Sequence, residues 1–330
     1  MYVLLGISIT LAVLLIANVL VALGSSAAWR VASGPAQGWS ARVRAEAIFA
    51  LRFFPVFASF LFVGGYIVPA YLLHEPFESG EVVSDKLGVI ALVSSFAVLI
   101  AVYRIVHTFL VTRGLIREWL RGATRITLDR VDVPVFRIEH EFPIIAVTGI
   151  LRPKLFIAEK VMSALTDDEL SAAIAHEYGH MAARDNFKRT MLRLCRDLII
   201  VPVGKSLDRD WADTSEAAAD EYAARHGAEH ALDLASALVK ITRMVPAYRT
   251  ASMPVATFLL GTDAGDVTAR VRNLLRLSEQ LRRPDKSGFI SPPGLLWIGG
   301  LLFVLCLPLL DSSLHLSTHH GIEAFVQFLQ

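Results

Sequence analysis

The stretch HEYGH, residues 176–180, has the residue types and the spacing of a metal-binding catalytic site. Residues four apart lie on one face of a helix, so His176 and His180 can direct ring nitrogens at one ion. Glu177 can reach a water molecule on that ion and take its proton while the water attacks a carbonyl group. The stretch therefore predicts hydrolysis of a peptide bond at a zinc site, with Glu177 as the catalytic residue.

A catalytic zinc site of this kind needs a third protein ligand and leaves one position for water. The run DTSEAAADEYAARHGAEH, residues 213–230, is rich in alanine and predicts a helix. Glu216 and Asp220 are four apart on it, so one carboxylate can bind the ion and the other can hold the far nitrogen of a ligand histidine. A solvated acidic face is the alternative, but the small alanines 217–219 would let this helix pack closely against HEYGH.

The segment before HEYGH contains the elements that must position it. Residues 126–158 include the runs VPVF and AVTGILRPKLFIA, which are β-branched or aromatic and are interrupted by proline and glycine. This pattern predicts a small sheet. Thr166 and Glu169 have the spacing of a capping box, so a helix is expected to start near Asp167 and to carry HEYGH in its interior.

The composition predicts a membrane protein. The 330 residues are 54% hydrophobic and 19% charged, which is more apolar than one soluble core requires. The net charge of +1 and the lack of a clustered cationic patch argue against direct binding of nucleic acid. Cys195 and Cys306 lie in dissimilar surroundings, so we expect both to be free thiols.

Four apolar segments are long enough to cross a hydrocarbon layer about 30 Å thick, which takes about 20 helical residues. They are residues 3–23, 53–73, 87–111 and 289–310. Arg104 and His107 lie near the end of the third segment, where long side chains extend to the membrane interface. We expect this snorkelling to be their role.

Charges in the connecting loops predict the orientation, because Lys and Arg are retained on the cytoplasmic side. The loop 74–86 is acidic and is expected outside, whereas basic residues follow the first and third segments and precede the fourth. These basic residues are Arg30, Arg42, Arg44, Arg113, Arg117, Arg121, Arg125, Arg282, Arg283 and Lys286. The N-terminus and the C-terminal tail are therefore expected outside, in a multi-pass protein of the inner or plasma membrane.

HEYGH and the later EAAAD, residues 216–220, resemble the HExxH and ExxxD pattern of gluzincin metallopeptidases that are embedded in membranes. The chain is similar in particular to the BlaR and MecR antirepressor peptidases, in which three spans precede a cytoplasmic zinc domain and one follows it. The resemblance covers roughly residues 100–310, including 148–186 and 267–275. It implies one zinc ion per chain, with a ligand set of His176, His180 and Glu216, a general base in Glu177 and a supporting carboxylate in Asp220.

This resemblance implies an organisation of four regions. Three transmembrane helices with short loops occupy residues 1–111, a cytoplasmic zinc metallopeptidase domain 112–288, a fourth transmembrane helix 289–310 and a short external tail 311–330. The expected fold class is an α-helical membrane protein with four transmembrane helices and a cytoplasmic α+β zincin-like metallopeptidase domain. The antirepressors carry a penicillin-binding sensor domain after the fourth span, and we expect no β-lactam sensing by that route here.

The resemblance also implies a substrate, with alternatives that the sequence leaves open. We expect cleavage of a cytoplasmic protein in signalling, with a DNA-binding transcriptional repressor as the expected target. The HtpX and CAAX-prenyl-protease type, which serves quality control of membrane proteins, is one alternative. A non-catalytic membrane receptor or scaffold with a structural zinc site is another, and the sequence leaves a homodimer open.

Two further sets of residues are candidates for the site. Zinc peptidases place a cation or a phenol where it stabilises the oxyanion of the reaction, and Tyr222, Arg225 and His226 follow Glu216 closely enough to compete for that role. The sequence does not choose among them. Asp185, five residues after His180, matches a frequent acid of the family and is expected to fix the helix end.

Overall fold

The structure is a computed structural model of the chain. It describes residues 2–75, 83–128, 131–150, 152–199, 203–244, 264–282 and 312–329. These residues form a layer of long apolar helices and, at one end of that layer, a domain of shorter helices around a four-stranded sheet.

The first part of the chain forms the long apolar helices. Helix α1 spans Tyr2–Ala32 and α2 spans Ala41–Phe62. A π-helical turn, Val63–Ile67, joins α2 to α3, which spans Val68–His74. Helix α4 spans Asp85–Arg121. Among the described residues, these make three helical segments that are long and apolar enough to cross a membrane, as predicted for the first three spans. The fourth predicted span, 289–310, lies outside the described residues.

The predicted β-rich segment forms one small sheet. Its strands are β1, Thr124–Ile126, β2, Val135–Ile138, β3, Ile145–Thr148, and β4, Lys154–Ala158. They are ordered β1-β2-β4-β3, with β2 and β4 parallel and the other two pairs antiparallel. Strand β3 is therefore an edge strand, and it packs beside the helix that carries HEYGH.

Six described helices complete the domain. They are α5, Glu159–Ala164, α6, Asp167–Ala182, α7, Asp185–Asp197, α8, Lys205–Ala224, α9, Ala228–Met244, and α10, Ala264–Arg282. Helix α6 begins at the predicted capping box, in which Thr166 and Glu169 satisfy each other's backbone N–H groups. It lies between β3 on one side and α8 and α9 on the other, and apolar residues of β4 and α9 such as Phe156 and Leu234 fill the core.

Polar contacts attach the domain to one end of the apolar layer. Asp210 of α8 accepts a hydrogen bond from the indole of Trp29 at 2.7 Å, at the C-terminal end of α1. Further along α8, the Glu221 carboxylate accepts from the backbone N–H of Ala41 at 3.0 Å, where α2 begins. Deeper in α2, the fully buried Arg52 donates to Asp208 at 2.8 Å. Helix α8 is therefore fixed against α1 and α2 along much of its length.

The C-terminal tail forms a helix at the other end of the layer. Helix α11 spans Ser312–Leu329 and buries Ile322 and Val326 against Leu5 of α1, Tyr71 of α3 and Leu87 of α4. These residues lie at the ends of α1, α3 and α4 that are remote from Trp29 and Ala41. The domain and the tail helix therefore occupy opposite ends of the apolar layer.

Glu169 joins the start of α6 to α9. Its carboxylate accepts hydrogen bonds from the backbone N–H of Thr166 at 2.9 Å, the hydroxyl of Ser236 at 2.6 Å and the ammonium of Lys240 at 2.7 Å. Burial opposes ionisation, but these partners outweigh it and lower the pKa of Glu169 from 4.5 to about 2. A carboxylate with a depressed pKa stabilises the fold above its unfolded pKa, and this stabilisation is lost as the pH falls through the folded pKa.

We expect stability to fall between pH 4.5 and about 2 through Glu169. The shift corresponds to a loss on the order of 3 kcal/mol. Glu169→Gln should remove this component and lower the free energy of unfolding at neutral pH by about 1–3 kcal/mol. Thermal unfolding of the detergent-solubilised protein across this pH range measures both effects. Glu159→Gln, at an exposed acid of α5, is the control, and an unchanged pH profile in Glu169→Gln would contradict the assignment.

Candidate metal centre

Helix α6 presents both histidines of HEYGH at one buried point. His176 and Glu177 are almost completely buried, and His180 is only 5% exposed. The Nε2 atoms of His176 and His180 lie 3.2 Å apart, with the ring planes nearly perpendicular at 88°. Two residues one helical turn apart thus direct the same ring nitrogen to one place, as their spacing predicts.

Glu216 of α8 completes a triad with the two histidines. One of its carboxylate oxygens lies 3.6 Å from His176 Nε2, and the other lies 3.6 Å from His180 Nε2. Donors on one tetrahedral zinc ion lie about 3.3 Å apart, because zinc bonds to nitrogen and oxygen are about 2.0–2.1 Å long. In the part of the chain that the structure describes, these three residues are the one group of His, Cys, Asp or Glu with a metal-binding arrangement. The donor set and the spacing fit zinc.

Gly179, inside HEYGH, allows α8 to approach this closely. A Cβ atom at this position would lie 2.9 Å from the Cα of Ala219 and 3.1 Å from the Cβ of Tyr222. Real Cβ atoms essentially never lie within 3.0 Å of a backbone atom, so a larger residue at position 179 would force α8 away from α6. Ala219 of EAAAD and the Cβ of Tyr222 form the other side of this contact, and for Ala219 this agrees with the close packing predicted from its small size.

A further carboxylate contacts the Nδ1 atom of each histidine, on the side of the ring away from Nε2. The Nδ1 atom of His176 lies 2.9 Å from Asp220 Oδ1, and that of His180 lies 2.7 Å from Asp185 Oδ2. A carboxylate on Nδ1 favours the tautomer that leaves Nε2 available to a metal ion. Asp185 reaches His180 because Arg184 adopts a left-handed conformation, with φ of 56°, and turns the chain back after α6. Asp185 thus contacts a histidine of the triad as well as starting α7.

Two arginines that the sequence analysis did not single out flank Glu216. Arg270 of α10 donates to both oxygens of Asp220, at 3.0 and 2.7 Å, and its Nη1 lies 3.2 Å from one oxygen of Glu216. Arg189 of α7 donates to the other oxygen of Glu216 at 3.2 Å. Arg270 lies in VTARVRNLL, but its separation of 54 residues from Glu216 gave no local signal of this contact.

Glu177 is buried beside the triad. One oxygen accepts a hydrogen bond from the backbone N–H of Val147 in β3 at 3.0 Å. The other oxygen, Oε1, is buried and has no hydrogen-bond partner among the described residues. Burial raises the pKa of Glu177, although the neighbouring histidines and Val147 N–H favour its ionised form. A carboxylate with a raised pKa and one unused oxygen suits general base catalysis near neutral pH.

The buried charges of the triad depend strongly on one another. Burial alone would lower the pKa of His180, but the carboxylates of Glu216 and Asp185 outweigh it and raise the pKa to about 10. Burial would likewise raise the pKa of Glu216, but His180, His176 and Arg270 hold it well below its usual range. Without a metal ion, His180 is therefore protonated at neutral pH. A metal ion must displace that proton, so the affinity of the site for the metal should weaken as the pH falls.

The three oxyanion candidates form a separate group beyond this centre. Arg225 and His226 are exposed at the end of α8. The guanidinium of Arg225 lies 5.8 Å from the centre of the Tyr222 ring, and the ring of His226 packs against those of Tyr222 and His230. Tyr222 is half-buried and its Cβ lies beside Gly179. The role of these residues stays a prediction.

Comparison with known proteins agrees with the chemistry of the site. Residues 146–209 match the model of Peptidase family M48, from β3 through HEYGH to the first residues of α8. No curated protein matches the chain. The family match and the triad support a zinc metallopeptidase of the M48 type, and the apolar helices support a membrane-associated one. They do not confirm the antirepressor type.

Gly179→Ala should damage the metal centre through packing alone. The added methyl group must push α8 away from α6, so we expect zinc affinity to fall about tenfold or more and stability to fall by about 1–3 kcal/mol. Competition with a chromogenic chelator and thermal unfolding measure the two effects. Gly114→Ala is the control, because no described atom lies within 4 Å of the new methyl group on α4. It should reduce neither the zinc affinity nor the stability. Normal zinc affinity in Gly179→Ala would rule out the tight contact.

Asp185→Asn and Asp220→Asn test the carboxylates behind the histidines. Each change removes a charged partner of one Nδ1 atom, so each should reduce zinc affinity by about 10–100-fold. The same chelator competition measures the loss. Asp167→Asn removes an exposed acid at the start of α6 without touching either histidine and should keep the wild-type affinity. If Asp185→Asn also keeps it, Asp185 acts only at the helix end.

Proposed function

We propose that this chain is a membrane-bound zinc endopeptidase with its active site at the triad of α6 and α8. The observation that carries the proposal is the convergence of His176, His180 and Glu216 beside the unpartnered oxygen of Glu177. A structural zinc site closes its coordination with four protein ligands and has no use for a buried base. The arrangement therefore favours an enzyme over a receptor or scaffold with structural zinc.

Each residue of the site has a distinct proposed role. His176, His180 and Glu216 hold zinc, which when bound supplies a Lewis acid that makes water more acidic and polarises a carbonyl group. Glu177 takes the proton of the attacking water on Oε1 and can then pass it to the leaving amine nitrogen. Asp185 and Asp220 keep Nε2 of each histidine available. Arg270 acts through these carboxylates as a positioning residue, because its contacts are with Asp220 and Glu216.

We also propose that the active site faces the cytoplasm, while the N-terminus and the tail are external. The excess of Lys and Arg around the domain supports this orientation. So does the position of α11 at the opposite end of the apolar layer from the domain. The division into residues 1–111, 112–288, 289–310 and 311–330 is part of the same proposal.

The proposed substrate is a cytoplasmic protein, with a transcriptional repressor as the first candidate because of the antirepressor resemblance. One feature favours the alternative, the quality control of membrane proteins. Helix α8 carries Glu216 and is fixed to α1 and α2 through Trp29, Ala41 and Arg52, so the site lies close to the membrane surface. Substrate segments near the bilayer would reach it readily.

Glu177→Gln provides the main test. The amide cannot accept the proton, so hydrolysis should fall by about 10²–10⁴-fold, while the three zinc ligands and the bound zinc remain. A census of new protein N-termini in cells that produce wild type or variant would identify the substrates. Cleavage of one soluble regulator in the wild type alone supports the repressor candidate, whereas scattered membrane-protein fragments support quality control.

Metal analysis of the same purified proteins provides the control. Glu177→Gln should contain as much zinc as the wild type, and His176→Ala should contain far less. Equal zinc in His176→Ala and wild type would refute the proposed ligand set. If Glu177→Gln keeps its zinc and cells that produce it show the same new N-termini as cells that produce the wild type, those cleavages do not depend on Glu177, and a structural zinc site becomes the better explanation.

A further inference from the structure

A cationic cavity lies between α4 and α7. Its volume is about 380 Å³. Its lining consists of Arg104, Ile105, His107, Thr108, Thr190, Arg193, Arg196 and Asp197. Three arginines face a single carboxylate, which leaves a net charge of two positive units before any charge on the histidine is counted.

Two of the arginines share the one carboxylate of the lining. Arg104 donates to Asp197 at 2.6 Å, and Arg196 approaches the same oxygen at 3.8 Å. Burial together with repulsion from Arg189 and Arg196 lowers the pKa of Arg193, which Asp197 only partly offsets. An anion within the cavity would relieve this repulsion.

The cavity is also at the right depth to meet lipid headgroups. Arg104 lies 19 residues after Asp85, the first residue of α4, which corresponds to about 28 Å of helix. This distance is close to the thickness of a hydrocarbon layer, about 30 Å. The α4 side chains at this level, Val102, Tyr103 and Val106, are at least half exposed. Acyl chains can therefore lie on α4 while a headgroup enters the cavity.

We propose that this cavity binds the phosphate group of an anionic phospholipid from the leaflet on the domain side. Guanidinium groups donate paired hydrogen bonds that match phosphate oxygens, and they are desolvated more easily than ammonium groups. Arg104 and His107 then contribute to a lipid site in addition to extending to the interface. This assignment is independent of the proposed peptidase activity.

The bound lipid would also support the helix that reaches the metal centre. The N-terminal half of α7 carries Asp185 and Arg189, which contact His180 and Glu216, and its C-terminal half lines the cavity with Arg193 and Arg196. One rigid helix thus connects the lipid site to the metal centre. A phosphate at one end would fix the position of α7 against α4.

Lipid titration of the full chain in a neutral detergent, followed by native mass spectrometry, tests the site. We expect phosphatidylglycerol to bind more tightly than phosphatidylcholine. Each basic residue near a membrane surface contributes about fivefold to the binding of anionic lipid, so Arg193→Gln/Arg196→Gln should weaken phosphatidylglycerol binding by about 25-fold. Arg193→Lys/Arg196→Lys keeps the charge, so it should weaken phosphatidylglycerol binding less than the glutamine variant does.

The matched control is Arg113→Gln/Arg117→Gln, which removes two exposed arginines of α4 outside the cavity. It should lose much less affinity than the cavity variant, and both variants should keep the wild-type zinc content. Equal binding of the two lipids, or an equal loss in the two glutamine variants, would overturn the proposal. Inorganic phosphate that binds as tightly as phosphatidylglycerol, with the same dependence on Arg193 and Arg196, would overturn the lipid assignment in favour of free phosphate.

Discussion

The contact between α6 and α8 at Gly179 is the constraint on which the metal centre depends. Two members of the triad come from α6 and the third from α8, so the distance between the helices sets the distance between their nitrogen and oxygen atoms. A side chain at residue 179 would hold the backbone of Ala219 too far away. The alanines of EAAAD reduce the bulk of the second helix, and Glu216 comes to lie 3.6 Å from both Nε2 atoms.

Close packing also buries charge, and the surrounding residues must compensate for it. Glu216 and Asp220 are nearly removed from water, where an isolated carboxylate is costly. Arg270 pairs with both, Arg189 pairs with Glu216, and a protonated His180 adds a third positive group in the absence of metal. A zinc ion that replaces the proton of His180 retains positive charge at the centre. The buried carboxylates are therefore compensated by cations from other segments of the chain.

The long apolar helices hold the two helices α7 and α8 in place. Helix α8 is held along its length by Trp29, Ala41 and Arg52, and the buried guanidinium of Arg52 also packs against Gly204, just before α8 begins. Helix α7 is attached to α4 by the ion pair of Arg104 and Asp197. Helices α7 and α8, which carry Asp185 and Glu216, are thus both attached to the long apolar helices.

Local sequence determined a large part of this protein. Hydropathy indicated the first three spans, the capping box of Thr166 and Glu169 indicated where α6 begins, and helical spacing indicated that His176 and His180 share a face with Glu177 beside them. These features follow from hydrogen bonds and side-chain packing within a few residues of one another, which a pattern in the sequence records directly. Glu216 and Asp220 were recognisable for the same reason.

Only the tertiary structure decided which distant groups complete the site. Arg270 lies 50 residues after Asp220, yet its guanidinium is bidentate to that carboxylate. The contact of Asp185 with His180 depends on a left-handed turn at Arg184, and the cationic cavity exists only because α7 lies against α4. Neutralisation of a buried charge depends on whichever chain segments pack around it. No spacing rule connects such segments, so the sequence alone indicated the candidate triad but not the charges that surround it.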